Sequence, residues 1–247
     1  MSHRWGIVPA AGRGTRIQPL AFSKELLPVG TRLDNGTEHP RAVSEYLVER
    51  FLAANVERIC FVISPGKTDI VQYFGGEIGT ASICYAVQQQ PQGLCDALFS
   101  ALPFIDPADQ VLIGLPDTVW FPATGFCALP DDELSFLLFP VARPELFDVV
   151  ITNEYGSVQE IQVKQQNYGS KWVWGAFKLS GTIFDELHRL WIDRRKQDEY
   201  IGTLVNAYLA RGGRALGIYG GEVYVDVGTL HGYREAVRVL SSEMVGM

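Results

Sequence analysis

The chain has 247 residues, of which 47% are hydrophobic and 20% charged, enough apolar material for a substantial globular core. Its formal net charge of -7 argues against nucleic acid or an anionic membrane surface as the main partner, and no apolar run approaches the roughly 20 residues that span a bilayer. The start of the chain lacks a secretory pattern and the four cysteines lack Cys-x-x-Cys spacing, so we expect a cytoplasmic protein with reduced, buried thiols.

The first predicted element is a short buried strand over residues 5–8, and a glycine-rich loop, AAGRGTR at residues 10–16, follows it. Small residues let backbone amides approach an anion, while Arg16 and Lys24 add positive charge that suits phosphates. The loop lacks the Gly-Lys-Ser/Thr of a Walker A sequence, and Ile17 stands where a dinucleotide-binding loop has its third glycine. Taken alone, such a loop would favour a tight turn with solvated cations.

Beyond the loop, the pattern predicts alternating helices and strands. Helices are expected at residues 40–55, 67–74 and 97–102, and strands at 58–64, 83–87 and 110–114. This alternation predicts a mostly parallel sheet with right-handed crossovers, in which ligands bind beyond the carboxyl ends of the strands. Residues 31–40 are polar and turn-rich, and Asp-Asn-Gly at 34–36 indicates a turn.

After Phe121 the pattern changes to a series of strands with few helical stretches between them. Strands are expected at residues 134–141, 148–152, 158–163 and 172–179, and helices at 181–195 and 199–210. We expect these strands to extend the sheet in antiparallel fashion. No linker rich in Pro, Gly or Ser interrupts the chain, so one continuous domain is predicted over residues 1–247.

Two aspartates follow predicted strands. Asp117 comes after the strand at 110–114, where a carboxylate is well placed to bind a metal, although an isolated aspartate there is more often a turn former. Asp226 comes late in the chain, before Gly228 and Thr229, which would also make a sound helix cap without any function.

Several motifs together carry a family resemblance. Gly-x-Gly-Thr-Arg at residues 12–16 is followed by Pro19 and by Ser-Lys-Glu-Leu-Leu-Pro-Val at 23–29, and Tyr-Val-Asp-Val-Gly-Thr occurs at 224–229. With this spacing, the chain resembles the sugar-1-phosphate nucleotidylyltransferases over nearly its whole length. These enzymes make NDP-sugars and release pyrophosphate.

The branches of that family are not separated by the motifs. Ala10-Ala11-Gly12 and Leu-Pro-Asp at 115–117 look like the uridylyltransferase branch. Ser23-Lys24 is more similar to the thymidylyltransferase branch. The base is therefore expected to be uracil or thymine.

The resemblance implies an α/β fold, a Rossmann-like three-layer sandwich with a mostly parallel central sheet and an added antiparallel strand region. Residues about 1–120 would bind the nucleotide and about 121–247 the sugar. The implied nucleotide-binding residues are Ala10, Ala11, Gly12, Gly14, Thr15, Arg16, Gln88, Gly93 and Asp117. The implied catalytic residues are Arg16, Lys24 and Lys164, and Asp117 and Asp226 would bind Mg²⁺. The amide of Gln88 offers both a donor and an acceptor for reading a pyrimidine edge.

The sugar 1-phosphate side departs from the family pattern. The implied contacts are Lys164, Gln162, Gly175, Trp174 and Glu199. The family often has glutamate before the lysine and proline after it, whereas this chain has Val163 and Gln165. This departure leaves the identity of the sugar open. Gln162 is either a hydroxyl contact or an outward-facing edge residue, and Trp174 either stacks on the sugar or belongs to the core.

The resulting hypothesis is transfer of a nucleotidyl group from an NTP (UTP or dTTP favoured) to a sugar 1-phosphate (glucose 1-phosphate favoured), with Mg²⁺ as cofactor. Two alternatives are cytidylyl transfer to a non-sugar phosphate such as phosphocholine, and a catalytically idle NDP-sugar-binding protein. We expect neither a nucleic acid nor a membrane partner, and the sequence leaves homo-oligomer formation open.

Overall fold

Four parallel strands form the centre of the protein in its computed structural model, which describes residues 2–90, 92–165 and 168–244, without the side chains of 242–244. The strands in these residues are β1 (Arg4–Pro9), β2 (Pro28–Asp34), β3 (Thr37–Ala42), β4 (Arg58–Ile63), β5 (Glu77–Ile78), β6 (Ala81–Val87), β7 (Gln110–Gly114), β8 (Thr118–Phe121), β9 (Leu134–Pro140), β10 (Val149–Thr152), β11 (Val158–Gln162), β12 (Trp172–Ser180), β13 (Ala215–Ile218) and β14 (Val223–Asp226). The helices are α1 (Val43–Ala53), α2 (Thr68–Phe74), α3 (Leu94–Phe99), α4 (Gly181–Asp193), α5 (Ile201–Ala210) and α6 (Leu230–Met244).

The main sheet has ten strands in the described chain, in the order β11-β10-β12-β7-β1-β4-β6-β5, with β9 and β13 joined to it through β12. Strands β7, β1, β4 and β6 run parallel to one another. On one side, β12 pairs antiparallel with β7 and β9, and β10 pairs antiparallel with β11 and β12. The predicted parallel sheet with an antiparallel extension is therefore confirmed.

Alternate residues of the central strands pack on opposite faces of the sheet, as the two-residue period of a strand requires. Ile7 and Val62 belong to a core that includes buried residues of α3, α4 and α5. Their neighbours Val8 and Phe61 belong to a second core, with residues of α1 and α2. Because helices cover both faces, the strands are apolar throughout and the protein has the three layers expected of it.

A third, smaller core joins the end of the chain to its beginning. It contains Val29 of β2, Val43 of α1, Val225 of β14 and Leu240 of α6. Outside the main sheet, β14 pairs antiparallel with β8. Segments from both halves of the chain thus share cores, and β12 and β7 share one sheet. We propose on this basis that the chain forms one domain.

The segment before α1 differs from the prediction, since β2 and β3 form an antiparallel hairpin where only a turn was expected. The turn itself is where it was predicted: Asn35 and Gly36 both have positive φ, as a two-residue hairpin turn of type I′ requires. Most residues of both strands are exposed. The alternation of apolar and polar residues that signals a strand was therefore missing.

No described helix is both long and apolar enough to cross a membrane. The cysteines are free thiols. Cys60 and Cys95 are buried, as predicted, but Cys84 is half-buried and Cys127 is exposed. The prediction was wrong for these two because β6 lies next to the short edge strand β5, and Cys127 lies in a surface 3₁₀ turn.

Candidate active site

The glycine-rich loop leaves the sheet directly after β1. The Ala10 amide donates a hydrogen bond to Val62 O at 2.8 Å, and Ala10 and Ala11 are buried. Gly14 has φ +65°, and a Cβ there would lie 2.8 Å from Lys24 Cδ. Gly14 is therefore needed both for the backbone conformation and to make room for the lysine. At Gly12, a Cβ would meet no described atom within 4 Å, so this part of the loop borders open space.

Arg16 and Lys24 are each paired with one of the two aspartates. Lys24 Nζ donates a hydrogen bond to Asp117 Oδ2, and Arg16 Nη1 donates one to Asp226 Oδ2 at 3.0 Å. The side chains of Lys24 and Asp117 are 15% and 12% exposed, whereas that of Arg16 is 59% exposed. The first pair is thus largely desolvated, while Arg16 has room to turn towards a ligand.

Strand pairing brings the aspartates together. The antiparallel register of β14 and β8 places Asp226 opposite Thr118, next to Asp117, and the Val227 amide donates to Asp117 O at 2.8 Å. The Gly228 amide donates to Asp226 Oδ1 at 2.7 Å. A Cβ on Gly228 would lie 2.8 Å from Asp226 Oδ1 and 3.0 Å from Asp117 Oδ2. Both carboxylates therefore face the same small space.

Burial and charge act in opposite directions on these groups. Burial tends to raise the pKa of Asp117, but the Lys24 ammonium outweighs it and holds this pKa below its ordinary value. Burial and the charge of Asp117 raise the pKa of Asp226, in spite of Arg16. Burial alone would lower the pKa of Lys24, but the carboxylates of Asp117 and Glu25 raise it above its ordinary value. The Asp226 carboxylate is therefore compensated less by positive charge than the Asp117 carboxylate is.

The chemistry of this donor set fits Mg²⁺. Carboxylate oxygens are hard ligands, and Mg²⁺ is usually held by one or two carboxylates together with substrate phosphates and water. Within the described ranges, no group of three or more His, Cys, Asp or Glu side chains is placed to hold an ion by itself. Asp117 and Asp226 would consequently bind the ion together with a phosphate-bearing ligand.

A buried ion pair beneath the loop was not predicted from the sequence. Glu25 is fully buried, and its Oε1 and Oε2 accept hydrogen bonds from Lys67 Nζ at 2.8 and 2.7 Å. The same ammonium donates to Ala10 O at 2.6 Å. Nearby, Ser23 N and Oγ donate to Asp69 at 2.6 and 2.7 Å. These contacts fix α2 against the glycine-rich loop and against the 3₁₀ turn Lys24–Leu26, which contains Lys24.

The residues predicted to read the base lie between β6 and α3. Gln88 is 4% exposed, and its Nε2 donates to Asp96 Oδ2 at 2.5 Å, which fixes the side-chain position. Gly93 has φ +95°, and a Cβ there would lie 2.7 Å from Glu199 Cα. Helix α3 begins directly after this glycine, earlier than predicted, because Glu199 O accepts a hydrogen bond from Leu94 N at 2.7 Å. Base reading by Gln88 and sugar binding by Glu199, whose side chain is exposed, stay predictions.

The lysine predicted to hold the sugar phosphate lies just after β11. Lys164 has φ +48°; its Nζ donates to the Tyr200 hydroxyl and lies 4.2 Å from the centre of that ring. Both side chains line the same cleft as the two aspartates. Gln162 instead contacts Glu160 Oε2 at 3.3 Å and the Gly169 amide at 3.1 Å. It is not among the cleft-lining residues of the described chain, so its sugar contact stays a prediction.

Gly175 lies at an irregularity in the pairing of β12 with β9, directly after Trp174. A Cβ there would lie 2.5 Å from Tyr224 Cε2 and 2.6 Å from Phe139 Cε2. The Tyr224 ring lines the cleft, as does Trp174, which is 7% exposed. Gly175 thus has a packing role, because it makes room for a ring in the cleft wall.

We expect Gly175→Ala to lower the free energy of unfolding by about 1–3 kcal/mol, since the added methyl overpacks two rings. Urea unfolding followed by fluorescence measures the change. Gly66→Ala is the matched control, because a Cβ at Gly66 meets nothing within 4 Å among the described atoms. Equal stability losses in the two variants would contradict this packing argument.

The cleft has a volume of about 480 Å³, within the range of small-molecule sites. The charged and aromatic residues that line it are Arg16, Lys24, Asp117, Glu145, Asp148, Lys164, Asp226, Phe147, Trp174, Tyr200 and Tyr224. Asp148 and Tyr200 are two cleft residues that no sequence motif indicated. Asp148 could have been predicted from the sequence, since it is a carboxylate next to a buried strand, as Asp117 is.

Comparisons with known proteins identify the family of this chain. The sequence model described as nucleotidyl transferase matches residues 5–243. The glucose-1-phosphate thymidylyltransferase of Neisseria meningitidis serogroup A is 28% identical over 243 residues, covering 94% of this chain and 80% of that protein. The UTP–glucose-1-phosphate uridylyltransferase AglF of Haloferax volcanii is 26% identical over 217 residues, covering 85% of each chain.

Among solved structures, the UTP-bound UGPase of Acinetobacter baumannii superposes with a TM-score of 0.76 at 20% identity, covering 98% of this chain and 94% of that one. At this identity the superposition shows that the fold is shared. The family match extends over both aspartates, the glycine-rich loop and the lysine after β11. This chain belongs to the nucleotidyl transferase family.

Proposed function

We propose that the protein transfers a nucleotidyl group from UTP or dTTP to a sugar 1-phosphate, with glucose 1-phosphate favoured, and releases pyrophosphate. The observation that carries the proposal is the convergence of two cation–carboxylate pairs, Lys24 with Asp117 and Arg16 with Asp226, on one cleft. The names of the thymidylyltransferase and uridylyltransferase relatives support these substrates.

The reaction needs no enzyme nucleophile, because a sugar 1-phosphate is already ionised at neutral pH. One of its phosphate oxygens bonds to the α-phosphorus in line, and the bond from that phosphorus to the pyrophosphate oxygen breaks. Positioning and charge stabilisation then supply the catalysis. In this proposal Arg16 binds the departing phosphates, Lys24 spans the reacting centre, and Lys164 orients the attacking phosphate.

Asp117 and Asp226 are the proposed ligands of Mg²⁺, which when bound neutralises developing charge on the phosphate oxygens. The high pKa of Asp226 supports this assignment, since the group lies beside a second carboxylate and would be stabilised by further positive charge. Lys24 keeps Asp117 ionised and in place in the absence of such an ion.

The remaining predicted contacts divide between the two substrates. For the nucleotide, we propose that the loop at residues 10–16 holds the phosphates with its backbone amides, and that Gln88 and Gly93 receive the base. For the sugar 1-phosphate, we propose Trp174, which lines the same cleft as Lys164, and Gly175, which packs behind the cleft-lining Tyr224 ring. Along the chain, the nucleotide set precedes Asp117 and the sugar set lies between Asp117 and Asp226.

The direct test is a pyrophosphate-release assay over the four common NTPs and dTTP, each with a panel of phosphorylated acceptors. The panel contains glucose, galactose, mannose and N-acetylglucosamine 1-phosphates, and phosphocholine. We expect release with UTP or dTTP and a sugar 1-phosphate. Release only with CTP and phosphocholine would replace the proposal by cytidylyl transfer, and NDP-sugar binding without any release would indicate an idle binding protein.

We expect Lys164→Ala to raise the KM for the sugar 1-phosphate about 10- to 100-fold, because a hydrogen bond between charged groups is lost, and to leave the KM for the NTP nearly unchanged. Initial rates at varied sugar 1-phosphate and fixed NTP measure this. Lys171→Ala, at an exposed lysine, is the control. A normal sugar 1-phosphate KM in Lys164→Ala would remove this lysine from the acceptor site.

A further inference from the structure

The cleft contains a carboxylate to which the proposed chemistry gives no role. Asp148 lies between the 3₁₀ turn Pro144–Leu146 and the start of β10, and lines the cleft together with Lys164 and Trp174. Burial raises its pKa to about 6, although Trp174 and Lys164 lower it. Such a desolvated carboxylate in a ligand cleft, away from the two aspartates that pair with cations, needs an explanation.

The strand register places Asp148 and Trp174 side by side. Strands β10 and β12 are antiparallel, with Val149 opposite Val173. Asp148 directly precedes β10 and Trp174 is one step further along β12, so both lie next to this residue pair, and Trp174 points to the other face of the sheet. Val149 and Val173 belong to the core on one face, whereas Trp174 belongs to the core on the other face; Asp148 and Trp174 both line the cleft.

The indole N–H of Trp174 interacts with Asp148 without forming a hydrogen bond of good geometry. The residue is 7% exposed, and its indole Nε1 is buried and makes no hydrogen bond within the described chain. It is close enough to Asp148 to lower the pKa of that carboxyl group, yet the contact does not have hydrogen-bond geometry. Buried indole N–H groups normally have a partner, so a ligand atom between the two side chains would satisfy both.

We propose that Asp148 and the Trp174 indole N–H together bind one hydroxyl group of the acceptor's sugar ring and so determine which sugar 1-phosphate is used. This inference rests on the proposed function. A hydroxyl group is both a donor and an acceptor, so it can donate to Asp148 while accepting from Trp174. A quaternary ammonium group can neither donate to Asp148 nor accept from the indole N–H, and an ammonium group cannot accept from an indole, so only a hydroxyl group would fill both hydrogen-bonding positions.

The position of the pair also fits the acceptor rather than the nucleotide. Asp148 is close enough to Lys164, the proposed phosphate-holding lysine, for the lysine's charge to lower its pKa. The Tyr224 ring lines the same cleft as Asp117, Asp226 and Asp148, and burial and the charges of these carboxylates raise its pKa. A sugar whose 1-phosphate contacts Lys164 would thus extend its ring along the wall that contains Trp174.

The test compares kcat/KM for glucose 1-phosphate with kcat/KM for its 2-, 3-, 4- and 6-deoxy derivatives, in the wild type, in Asp148→Ala and in Trp174→Phe. In the wild type, one deoxy position is expected to lower kcat/KM about 10- to 100-fold, the loss of a hydrogen bond to a charged group. Asp148→Ala should show a similar loss with glucose 1-phosphate and no further loss with that deoxy sugar. Trp174→Phe keeps an aromatic ring, removes only the N–H group, and should reduce the same deoxy penalty.

In all three proteins the KM for the NTP should be unchanged, which shows that the variants are folded and that the effect is confined to the acceptor. Exposed Asp132→Ala is the matched control and should behave as the wild type. Equal deoxy penalties in the wild type and in Asp148→Ala would overturn this inference and leave the proposed function intact. Absence of turnover with every sugar 1-phosphate, or turnover with phosphocholine alone, would overturn both.

Discussion

Asp117→Asn and Asp226→Asn are each expected to lower kcat for pyrophosphate release by at least about 100-fold, the scale for losing one group that stabilises charge at a reacting phosphate. Each substitution keeps the size of the side chain and removes its negative charge. Both carboxylates face the space beside Gly228, so neither can replace the other. The dependence of the residual rate on Mg²⁺ concentration should shift to higher concentration in both variants.

The control for these variants is Asp132→Asn, at an exposed aspartate outside the cleft. All three proteins are compared by circular dichroism and thermal unfolding, because Asp117 and Asp226 also pair with Lys24 and Arg16. If either cleft variant remained folded and released pyrophosphate at the wild-type rate and Mg²⁺ requirement, that aspartate could not be a metal ligand.

Lys67→Met is expected to lower the free energy of unfolding by about 3–5 kcal/mol at pH 8, because it leaves the fully buried Glu25 carboxylate without its main partner. Burial already raises the pKa of Glu25 above its ordinary value, while Lys67 and Lys24 lower it. Loss of Lys67 raises the pKa of Glu25 further. At a pH between the ordinary and the raised pKa, Glu25 is therefore protonated in the folded variant and ionised in the unfolded chain. The stability of the variant therefore falls as pH rises from the ordinary pKa of glutamate through the raised one.

Urea unfolding at pH 5 and pH 8 tests this expectation. The deficit relative to the wild type should be smaller at pH 5, where Glu25 takes up a proton. The double variant Glu25→Gln/Lys67→Met should be more stable than Lys67→Met at pH 8, since it removes the unpaired charge, and Lys171→Met should stay within about 0.5 kcal/mol of the wild type. A deficit that does not vary with pH, and is not reduced in the double variant, would show that packing of the lysine stem is what matters.

Lys67→Met and the aspartate variants are expected to affect activity in different ways. Lys67 lies behind the loop, where its ammonium holds the Ala10 carbonyl and the Glu25 carboxylate. Loss of Lys67 should therefore affect activity by displacing Lys24, which directly precedes Glu25. We expect it to raise the KM for the NTP more than the KM for the sugar 1-phosphate. The aspartate variants instead act at the proposed reacting centre itself.

Much of the protein could be predicted because it is encoded locally. The central strands β1, β4, β6 and β7 are short apolar runs bounded by turn residues, and helices cover both faces, so their alternation was sufficient to predict the layers and the parallel sheet. The loop at residues 10–16 and Asp117 follow strand ends, a position that by itself predicts the ligand side of such a sheet.

The contacts that make the site depend instead on pairings between distant parts of the chain. Arg16 and Asp226 are 210 positions apart, and they meet only because β14 pairs with β8 and a small apolar core holds α6 against β2. The Glu25–Lys67 pair and the Lys164–Tyr200 contact likewise join separate elements. No local pattern of residues specifies such partners.

By itself, the sequence determined the order of strands and helices, because hydrophobic periodicity and turn residues are signals that depend only on neighbouring positions. It also determined the chemistry of the loop and the identity of the charged residues. Only the tertiary structure decided which of those charges face one another, and that Asp148 lies in the cleft close to Trp174 and Lys164. The register of β10 against β12 is what places Asp148 beside Trp174, and a shift of β10 by one residue would turn Asp148 to the other face of the sheet.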